Sequence, residues 1–218
     1  MIEIKLCGLK EPSHIEAAFN LGIKYLGFVF FEKSPRFLRN DSAKSLISLT
    51  PPGIIKVGLV VNPSDECLNS ISGLNLDMLQ LHGSESIDRV KEIKSKFNFS
   101  LIKAIGIKEK KDLDLVESYS EVADHLLIDA KPSPNSSLPG GNGIKFDWTI
   151  LEKKSWDFSW FLAGGLNANN ITKALSMTKA KKVDLSSGVE DSKGRKSINK
   201  ITSFVNKIKK YEGNLNVG

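Results

Sequence analysis

Cysteine is scarce in this chain, and long hydrophobic runs are absent from it. Only Cys7 and Cys67 occur among the 218 residues, with no CxxC pair and no spacing of metal ligands. Two distant cysteines do not form the disulfide framework of a small secreted protein, so we expect reduced thiols. No 18-residue apolar run occurs, and no basic segment followed by an apolar stretch opens the chain. We therefore expect a soluble, cytoplasmic protein without a membrane partner.

Aromatic residues and histidine are also few. Aromatic side chains make up 8% of the chain, and the lysines behind its net charge of +6 are dispersed rather than interleaved with them. Grooves that bind single-stranded nucleic acid combine clustered basic residues with aromatic side chains, so we expect no nucleic-acid partner. With three histidines and no cluster of histidine and cysteine, we also expect no metal site.

Eight short apolar runs alternate with polar segments of helical periodicity, a pattern typical of βα units around a parallel sheet. The runs cover residues 2–7, 24–30, 54–61, 76–81, 100–106, 124–129, 160–164 and 181–187, and the clearest helical segments cover 13–22, 42–50, 85–97, 167–178 and 197–211. No GxGxxG turn follows the first run, where a dinucleotide-binding fold would carry it. The pattern predicts an α/β fold with a single domain over residues 1–218, a (β/α)8 TIM barrel, with an open doubly wound sheet as the alternative.

Two local signals add detail to this prediction. Ser13 with Glu16 three residues later has the spacing of a capping box, and Gly22 stands where the first helix should end. The irregular segment 129–148 follows the sixth strand and is rich in proline, glycine, serine and asparagine. A loop of this length inside a compact domain is usually functional, so we interpret it as a candidate lid over the barrel mouth.

Polar residues stand at the ends of the predicted strands. The active site of a barrel forms at the carboxyl ends of its strands, where Cys7, Arg36, His82, Asp129 and Asp184 are found. The planar guanidinium of Arg36 suits a carboxylate, with a surface ion pair as the alternative. Asp129 emerges from an apolar strand, where a carboxylate must be paired or take up a proton, and its alternative is a hydrogen bond that organises the loop. His82 is either a base or a structural histidine at the barrel mouth.

Two loops of small residues follow the last two strands. Gly164 and Gly165 precede a predicted helix, and Ser186, Ser187 and Gly188 follow the eighth strand. Backbone N–H groups and the positive end of a helix dipole bind phosphate, and phosphate sites in barrels often lie between these two loops. Either loop alone could be ordinary turn geometry, but the pair predicts a phosphorylated small-molecule ligand.

Several motifs are shared with one enzyme family. KLCGL at the first strand, KSPR after the second, LQLHG at the fourth, LLIDA at the sixth, LAGGL at the seventh and DLSSGVE at the eighth resemble phosphoribosylanthranilate isomerases of tryptophan biosynthesis. The resemblance implies a (β/α)8 barrel that needs no cofactor and converts N-(5'-phosphoribosyl)anthranilate to 1-(o-carboxyphenylamino)-1-deoxyribulose 5-phosphate, an Amadori rearrangement. One position departs from the family, whose loop usually reads GGTG or GGSG where Asn142 stands here.

The resemblance also implies roles for individual residues. It makes Cys7 the general base and Asp129 the general acid, and it assigns the anthranilate carboxylate to Arg36. It places Gly164, Gly165, Ser187 and Gly188 at the phosphate. We also expect substrate contacts from His82, Gly141, Asp184 and Ser186. The alternatives are another barrel enzyme that acts on phosphosugars and a non-catalytic phosphosugar-binding protein, and the chain is expected to be a monomer or a homodimer.

Cys7 suits proton abstraction only as a thiolate. A free thiol titrates near pH 8.5, so we expect the site to lower the pKa of Cys7 or to pair it with a base. Lys5 lies two residues away on the same strand face and is the nearest cation in sequence, whereas the charge of Asp184 would oppose a thiolate. The sequence assigns Lys5 no catalytic role.

Overall fold

Eight parallel strands close into a barrel in the order in which they occur along the chain. The computed structural model describes residues 1–133, 136, 138–141, 143, 146–152 and 154–215. The strands are β1 (Glu3–Cys7), β2 (Tyr25–Val29), β3 (Ile55–Val60), β4 (Met78–Leu81), β5 (Ser100–Ile107), β6 (His125–Ala130), β7 (Trp160–Leu162) and β8 (Lys182–Leu185). The closure pairs β1 with β8, with Lys5 opposite Asp184. The predicted barrel is confirmed, and the open-sheet alternative is wrong.

Helices follow most of the strands and cover the outside of the barrel. They are α1 (Pro12–Leu21), α2 (Asn40–Ser48), α3 (Asp65–Ser72), α4 (Ile87–Phe97), α5 (Leu113–Ser120), α6 (Ile171–Thr178) and α7 (Ile198–Leu215). Among the described residues between β6 and β7, a single 3₁₀ turn, Trp148–Leu151, stands in place of an α-helix. No helix within the described part of the chain is long and apolar enough to span a membrane.

The first helix shows which local signals were correct. Gly22 ends α1 in the left-handed conformation with φ 80°, as predicted, because glycine adopts this region without a Cβ clash. The predicted cap at Ser13 is wrong, since Glu11 is the N-cap and makes no side-chain cap bond. Pro12 takes the first helical position, where its fixed φ and missing N–H are tolerated, and this places Ser13 inside the first turn.

Apolar side chains fill both sides of the strands. One layer packs between the strands and the surrounding helices, and a second fills the inside of the barrel around Tyr25, Val57, Leu127 and Phe161. Burial on both faces explains why the strands occur as nearly continuous apolar runs. This interior layer includes the opening residues of β2 and β4, Tyr25 and Met78, and the opposite, carboxyl ends of the strands carry the polar residues.

A short antiparallel hairpin, which the sequence analysis does not predict, follows β8. It consists of β9 (Glu190–Ser192) and β10 (Arg195–Lys196), and its turn contains Gly194 with φ 84°. A Cβ at Gly194 would lie 2.7 Å from the carbonyl oxygen of Pro35, so the turn packs closely on the loop after β2. That contact brings the hairpin beside Arg36.

Candidate active site

One cavity at the carboxyl ends of the strands contains all eleven predicted site residues. Its space of about 810 Å³ includes solvent at the open mouth, and small-molecule ligands bind in concave sites of this kind. Its wall includes Cys7, Arg36, His82, Asp129, Gly141, Gly164, Gly165, Asp184, Ser186, Ser187 and Gly188. These residues come from distant parts of the sequence, and the closed barrel brings them together because they end or follow six different strands.

Cys7 ends β1 with its thiol in the cavity wall, only 3% exposed. Gly27 lies opposite on β2, and a Cβ there would come within 2.8 Å of the sulfur, so glycine leaves the space that the thiol occupies. Burial raises the pKa of Cys7, Lys5 and Lys196 oppose this increase, and Asp184 adds to it. The net direction is upward, which corrects the expectation that the site lowers the pKa of Cys7.

Lys5 lies inside the barrel, fully buried, two residues before Cys7. Its Nζ donates to Oδ1 of Asp184 at 2.8 Å across the β1–β8 closure. Burial alone would lower the pKa of Lys5, but the charges of Asp184 and Cys7 raise it above its usual value. The ammonium is therefore retained next to the cavity.

Asp129 lies near the end of β6 and presents one carboxylate oxygen to the cavity. Its Oδ1 accepts a hydrogen bond from the N–H of Ala130 at 2.7 Å, and its Oδ2 lies 3.5 Å from Nε2 of His82. Nδ1 of His82 in turn lies 2.6 Å from Nε2 of the fully buried Gln80. His82 is therefore held in the cavity wall beside Asp129 by contacts at both ring nitrogens.

Part of the 129–148 loop lies directly over this pair. Leu138, Pro139, Gly140, Gly141 and Gly143 line the cavity, which is the position predicted for a lid. A Cβ at Gly140 would overlap Nε2 of His82 and lie 3.0 Å from Oδ2 of Asp129, so only glycine fits there. Asn142, the departure from the family pattern, lies outside the described residues.

Arg36 is buried and already ion-paired. Its Nε and Nη2 donate to the two carboxylate oxygens of Glu190 at 2.7 and 2.8 Å, and Nη2 also donates to the carbonyl of Gly141 at 3.3 Å. The ion pair that stood as the alternative role for Arg36 therefore exists, but it is buried, and Arg36 lines the cavity as well. Nη1 lies on the cavity side, where a Cβ at Gly141 would approach it to 2.6 Å.

Glu190 is the buried counter-ion of Arg36, and it was not predicted from the sequence. It also accepts hydrogen bonds from Lys196 Nζ at 2.8 Å and from the N–H of Gly194 at 3.0 Å. Burial would raise the pKa of Glu190, but Arg36 and Lys196 lower it to about 2. The one signal in the sequence was its place at the end of the DLSSGVE motif.

The two predicted phosphate loops touch each other. A Cβ at Gly188 would overlap the carbonyl oxygen of Leu166, so the loop after β8 can reach the loop after β7 only with glycine at this position. Gly164 and Gly165 both have positive φ, 88° and 60°, which L side chains rarely adopt. The backbone at this side of the cavity is therefore open to close approach by a ligand.

The start of α6 differs from its prediction. The predicted helix covers 167–178, but α6 begins at Ile171, so the contribution expected from its dipole lies farther from the glycine pair. Asn167 and Asn170 donate from Nδ2 to the carbonyl of Gly165 at 3.3 and 2.9 Å. Asparagine side chains compete with helical hydrogen bonds in this way, and here they form a turn before the helix.

Another buried ion pair, Lys103–Glu85, organises the loops after β3 and β4. Nζ of Lys103 donates to Oε2 of Glu85 and to the carbonyl of Gly83, both at 2.8 Å. Oε1 of Glu85 accepts hydrogen bonds from the N–H groups of Asn62 and Gly83 at 2.8 and 3.0 Å. These bonds fix the loop directly after His82, and the sequence analysis did not predict them.

Comparisons with known proteins agree on one family. The model of the family described as N-(5'-phosphoribosyl)anthranilate (PRA) isomerase matches residues 4–207. The N-(5'-phosphoribosyl)anthranilate isomerase of Ruegeria sp. (strain TM1040) is 46% identical over 206 residues, which are 94% of this chain and 96% of that protein.

Two solved structures show the same fold over nearly the whole chain. Phosphoribosyl anthranilate isomerase from Thermotoga maritima has a TM-score of 0.85 at 30% identity, covering 96% of this chain and 100% of that one. A phosphoribosyl anthranilate isomerase in complex with reduced 1-(o-carboxyphenylamino)-1-deoxyribulose 5-phosphate has a TM-score of 0.81 at 28% identity, with the same coverage.

Proposed function

The chain belongs to the N-(5'-phosphoribosyl)anthranilate isomerase family, and from this premise we propose that Asp129 and Cys7 act as the acid and the base of its reaction. The enzyme converts N-(5'-phosphoribosyl)anthranilate to 1-(o-carboxyphenylamino)-1-deoxyribulose 5-phosphate in tryptophan biosynthesis. This Amadori rearrangement needs one proton donated to the ribose ring and one removed from it.

Asp129 donates the first proton. The ribose ring opens when its oxygen takes up a proton as the C1'–O bond breaks, and a protonated carboxyl group can supply that proton. Oδ2 is the oxygen suited to this task, because Oδ1 already accepts the N–H of Ala130. His82 lies 3.5 Å from Oδ2 and orients it toward the cavity.

Cys7 removes the second proton. Ring opening leaves a protonated Schiff base, which makes the proton on C2' acidic. The Cys7 thiolate takes this proton, the C–H electron pair forms the C1'–C2' double bond, and the C=N π pair returns to the positively charged nitrogen. The resulting enolamine tautomerises to the ketose. Cys7 and Asp129 line the cavity from different strands, which supports separate roles for them as base and acid.

The two ends of the substrate have separate places. We assign the carboxylate of the anthranilate to Arg36, whose Nη1 lies on the cavity side while Glu190 occupies the opposite edge of the guanidinium. We assign the phosphate to the backbone around Gly165 and Gly188, where the loops after β7 and β8 meet. The related structure holds a compound with a carboxyphenyl group and a 5-phosphate at its two ends.

The observation that carries this proposal is the presence of a thiol, a carboxyl group, a guanidinium and two glycine-rich loops in one cavity. The test follows the fluorescence decay of N-(5'-phosphoribosyl)anthranilate. We expect Cys7→Ser and Asp129→Asn each to lower kcat by about 10²- to 10⁴-fold with little change in KM. Arg36→Ala should act mainly on KM.

Two control variants distinguish a loss of catalysis from a loss of folding. Cys67→Ser changes the other cysteine, on α3, and Asp124→Asn changes an aspartate just before the opposite end of β6. Neither residue lines the cavity, so both variants should keep the activity of the parent. If Cys7→Ser kept nearly full kcat, the base would lie elsewhere, and His82→Asn would be the next variant.

A further inference from the structure

We propose that Lys5 is a positioning residue for proton abstraction, whose ammonium group stabilises the Cys7 thiolate when it forms. The inference rests on the proposed function, in which Cys7 is the base. Lys5 and Cys7 are two residues apart on β1 and therefore lie on the same face of the strand, inside the barrel. Their charges interact, as the pKa of each responds to the other.

The hydrogen bonds of Lys5 leave donors for a second anion. A lysine ammonium has three N–H donors. Nζ of Lys5 donates to Oδ1 of Asp184 at 2.8 Å, and a side-chain hydrogen bond between Lys5 and Cys7 contributes to the pKa of both residues. Asp184 therefore fixes the position of the ammonium while two donors remain for the sulfur when it becomes negative.

Lys196 is the other buried cation near Cys7, and its donors are already used. Its Nζ donates to Oε1 of Glu190 at 2.8 Å and to the carbonyl and hydroxyl oxygens of Ser186 at 3.0 and 3.3 Å. Burial lowers the pKa of Lys196, and Glu190 opposes that change. Lys196 thus holds the β9–β10 hairpin and Glu190 in place, and Lys5 is the cation with capacity for the thiolate.

Stability does not explain a fully buried lysine at this position. A buried ion pair is often no more stable than apolar residues of the same volume, because both charges lose their hydration. An ammonium beside a buried thiol has a direct chemical use, since burial by itself disfavours the thiolate. The charged groups that act on Cys7 are Lys5, Asp184 and Lys196, and the other titratable groups of the cavity wall are Arg36, His82 and Asp129.

The proton balance needs no further reactant. Cys7 loses its thiol proton to solvent, and the thiolate forms under the charge of Lys5. The thiolate then takes the C2' proton of the Schiff base, the C–H electron pair moves into the new double bond, and Cys7 becomes a thiol again. Lys5 keeps its proton throughout, so it acts through Cys7 rather than on the substrate.

The experiment measures the thiolate directly. In a Cys67→Ser background, the rate of alkylation of Cys7 by iodoacetamide is followed against pH, and its midpoint reports the ionisation of the thiol. Lys5→Met should raise the midpoint by about 1–3 pH units, because a neighbouring opposite charge is lost. At neutral pH, kcat should fall by about tenfold or more, while Lys5→Arg, which keeps the charge, should restore most of both properties.

Two further variants keep the test decisive. Lys103→Met removes a lysine that is similarly buried, at 2% exposure, and ion-paired to Glu85 on another side of the barrel, so the midpoint of Cys7 should stay unchanged. Asp184→Asn leaves Lys5 an amide acceptor but removes the charge that opposes the thiolate, so the midpoint should fall. Folding of each variant is checked by circular dichroism.

The outcomes separate this inference from the proposed function. A folded Lys5→Met protein with the midpoint of the parent would overturn the inference, even if Cys7→Ser were inactive. If Lys5→Met did not fold, Lys5→Gln, which keeps a polar group at this position without the charge, would replace it, and the midpoint of the parent in that variant would overturn the inference equally. A shifted midpoint together with a fully active Cys7→Ser would instead remove Cys7 as the base and leave the electrostatic role of Lys5 intact.

Discussion

Glu190→Gln tests the buried charge cluster behind the carboxylate site. The substitution keeps the shape and one acceptor oxygen of the side chain but removes its negative charge. Arg36 and Lys196, whose side chains are 5% and 1% exposed, would then be left buried without their common counter-ion. We expect a loss of folding stability and a higher KM, because the guanidinium of Arg36 loses the carboxylate that orients it.

The size of the stability loss follows from the pKa of Glu190. Its usual value of 4.5 falls to about 2 in the folded protein, and each pH unit corresponds to about 1.4 kcal/mol, so the charge contributes about 3 kcal/mol. This agrees with the loss of about 3–5 kcal/mol that follows removal of one partner of a buried pair. Because the folded pKa is the lower one, the contribution is complete above pH 4.5 and is lost as the pH falls through about 2.

Urea unfolding of the wild type and Glu190→Gln at pH 7 and pH 3 measures this contribution. The difference in free energy of unfolding should be about 3 kcal/mol at pH 7 and smaller at pH 3, where the wild type has begun to lose the stabilisation. As a control, Glu92→Gln removes the exposed partner of Arg89 and should change stability by less than about 1 kcal/mol. A difference below about 1 kcal/mol for Glu190→Gln, or one that stays constant down to pH 3, would refute the reasoning.

Two further substitutions test the loops around the cavity. Gly188→Ala places a Cβ against the carbonyl oxygen of Leu166 and should separate the two phosphate loops, so we expect a raised KM with most of kcat retained in steady-state kinetics. An unchanged KM would contradict the assignment of the phosphate. Glu85→Gln leaves Lys103 buried without its counter-ion and should lower stability by about 3–5 kcal/mol, measured by denaturant unfolding. A loss below about 1 kcal/mol would show that the pair does not hold the loop after His82.

The barrel and the members of the site could be predicted from the sequence because both depend on local patterns. Strands buried on both faces occur as apolar runs, and the residues that follow them face the mouth of a closed barrel. Cys7, Asp129 and the glycine loops were found in this way. The helix boundaries were less certain, as Ser13 shows, since a proline one residue earlier determined where α1 begins.

The partners of the site residues could not be predicted, because they are distant in sequence. Glu190 pairs with Arg36 across 154 positions, and Lys5 pairs with Asp184 across 179. The β9–β10 hairpin that carries Glu190 is short and charged, without the apolar alternation that indicates a strand. These pairs become visible only in the folded barrel, where β1 lies next to β8 and Gly194 contacts the loop after β2.

The buried ion pairs share one location, which suggests a common reason for them. Within the described residues these pairs form three groups at or beside the cavity end of the barrel; the groups are Lys5 with Asp184, Glu190 with Arg36 and Lys196, and Lys103 with Glu85. Apolar residues could fill the same volume at no loss of stability, so folding alone does not require these charges. In the mechanism that we propose, each group instead holds a part of the site in place, namely the cation next to the Cys7 thiol, the guanidinium assigned to the substrate carboxylate and the loop after His82. Charges fixed before the substrate arrives need not reorganise during the reaction, which is how a preorganised site stabilises a transition state.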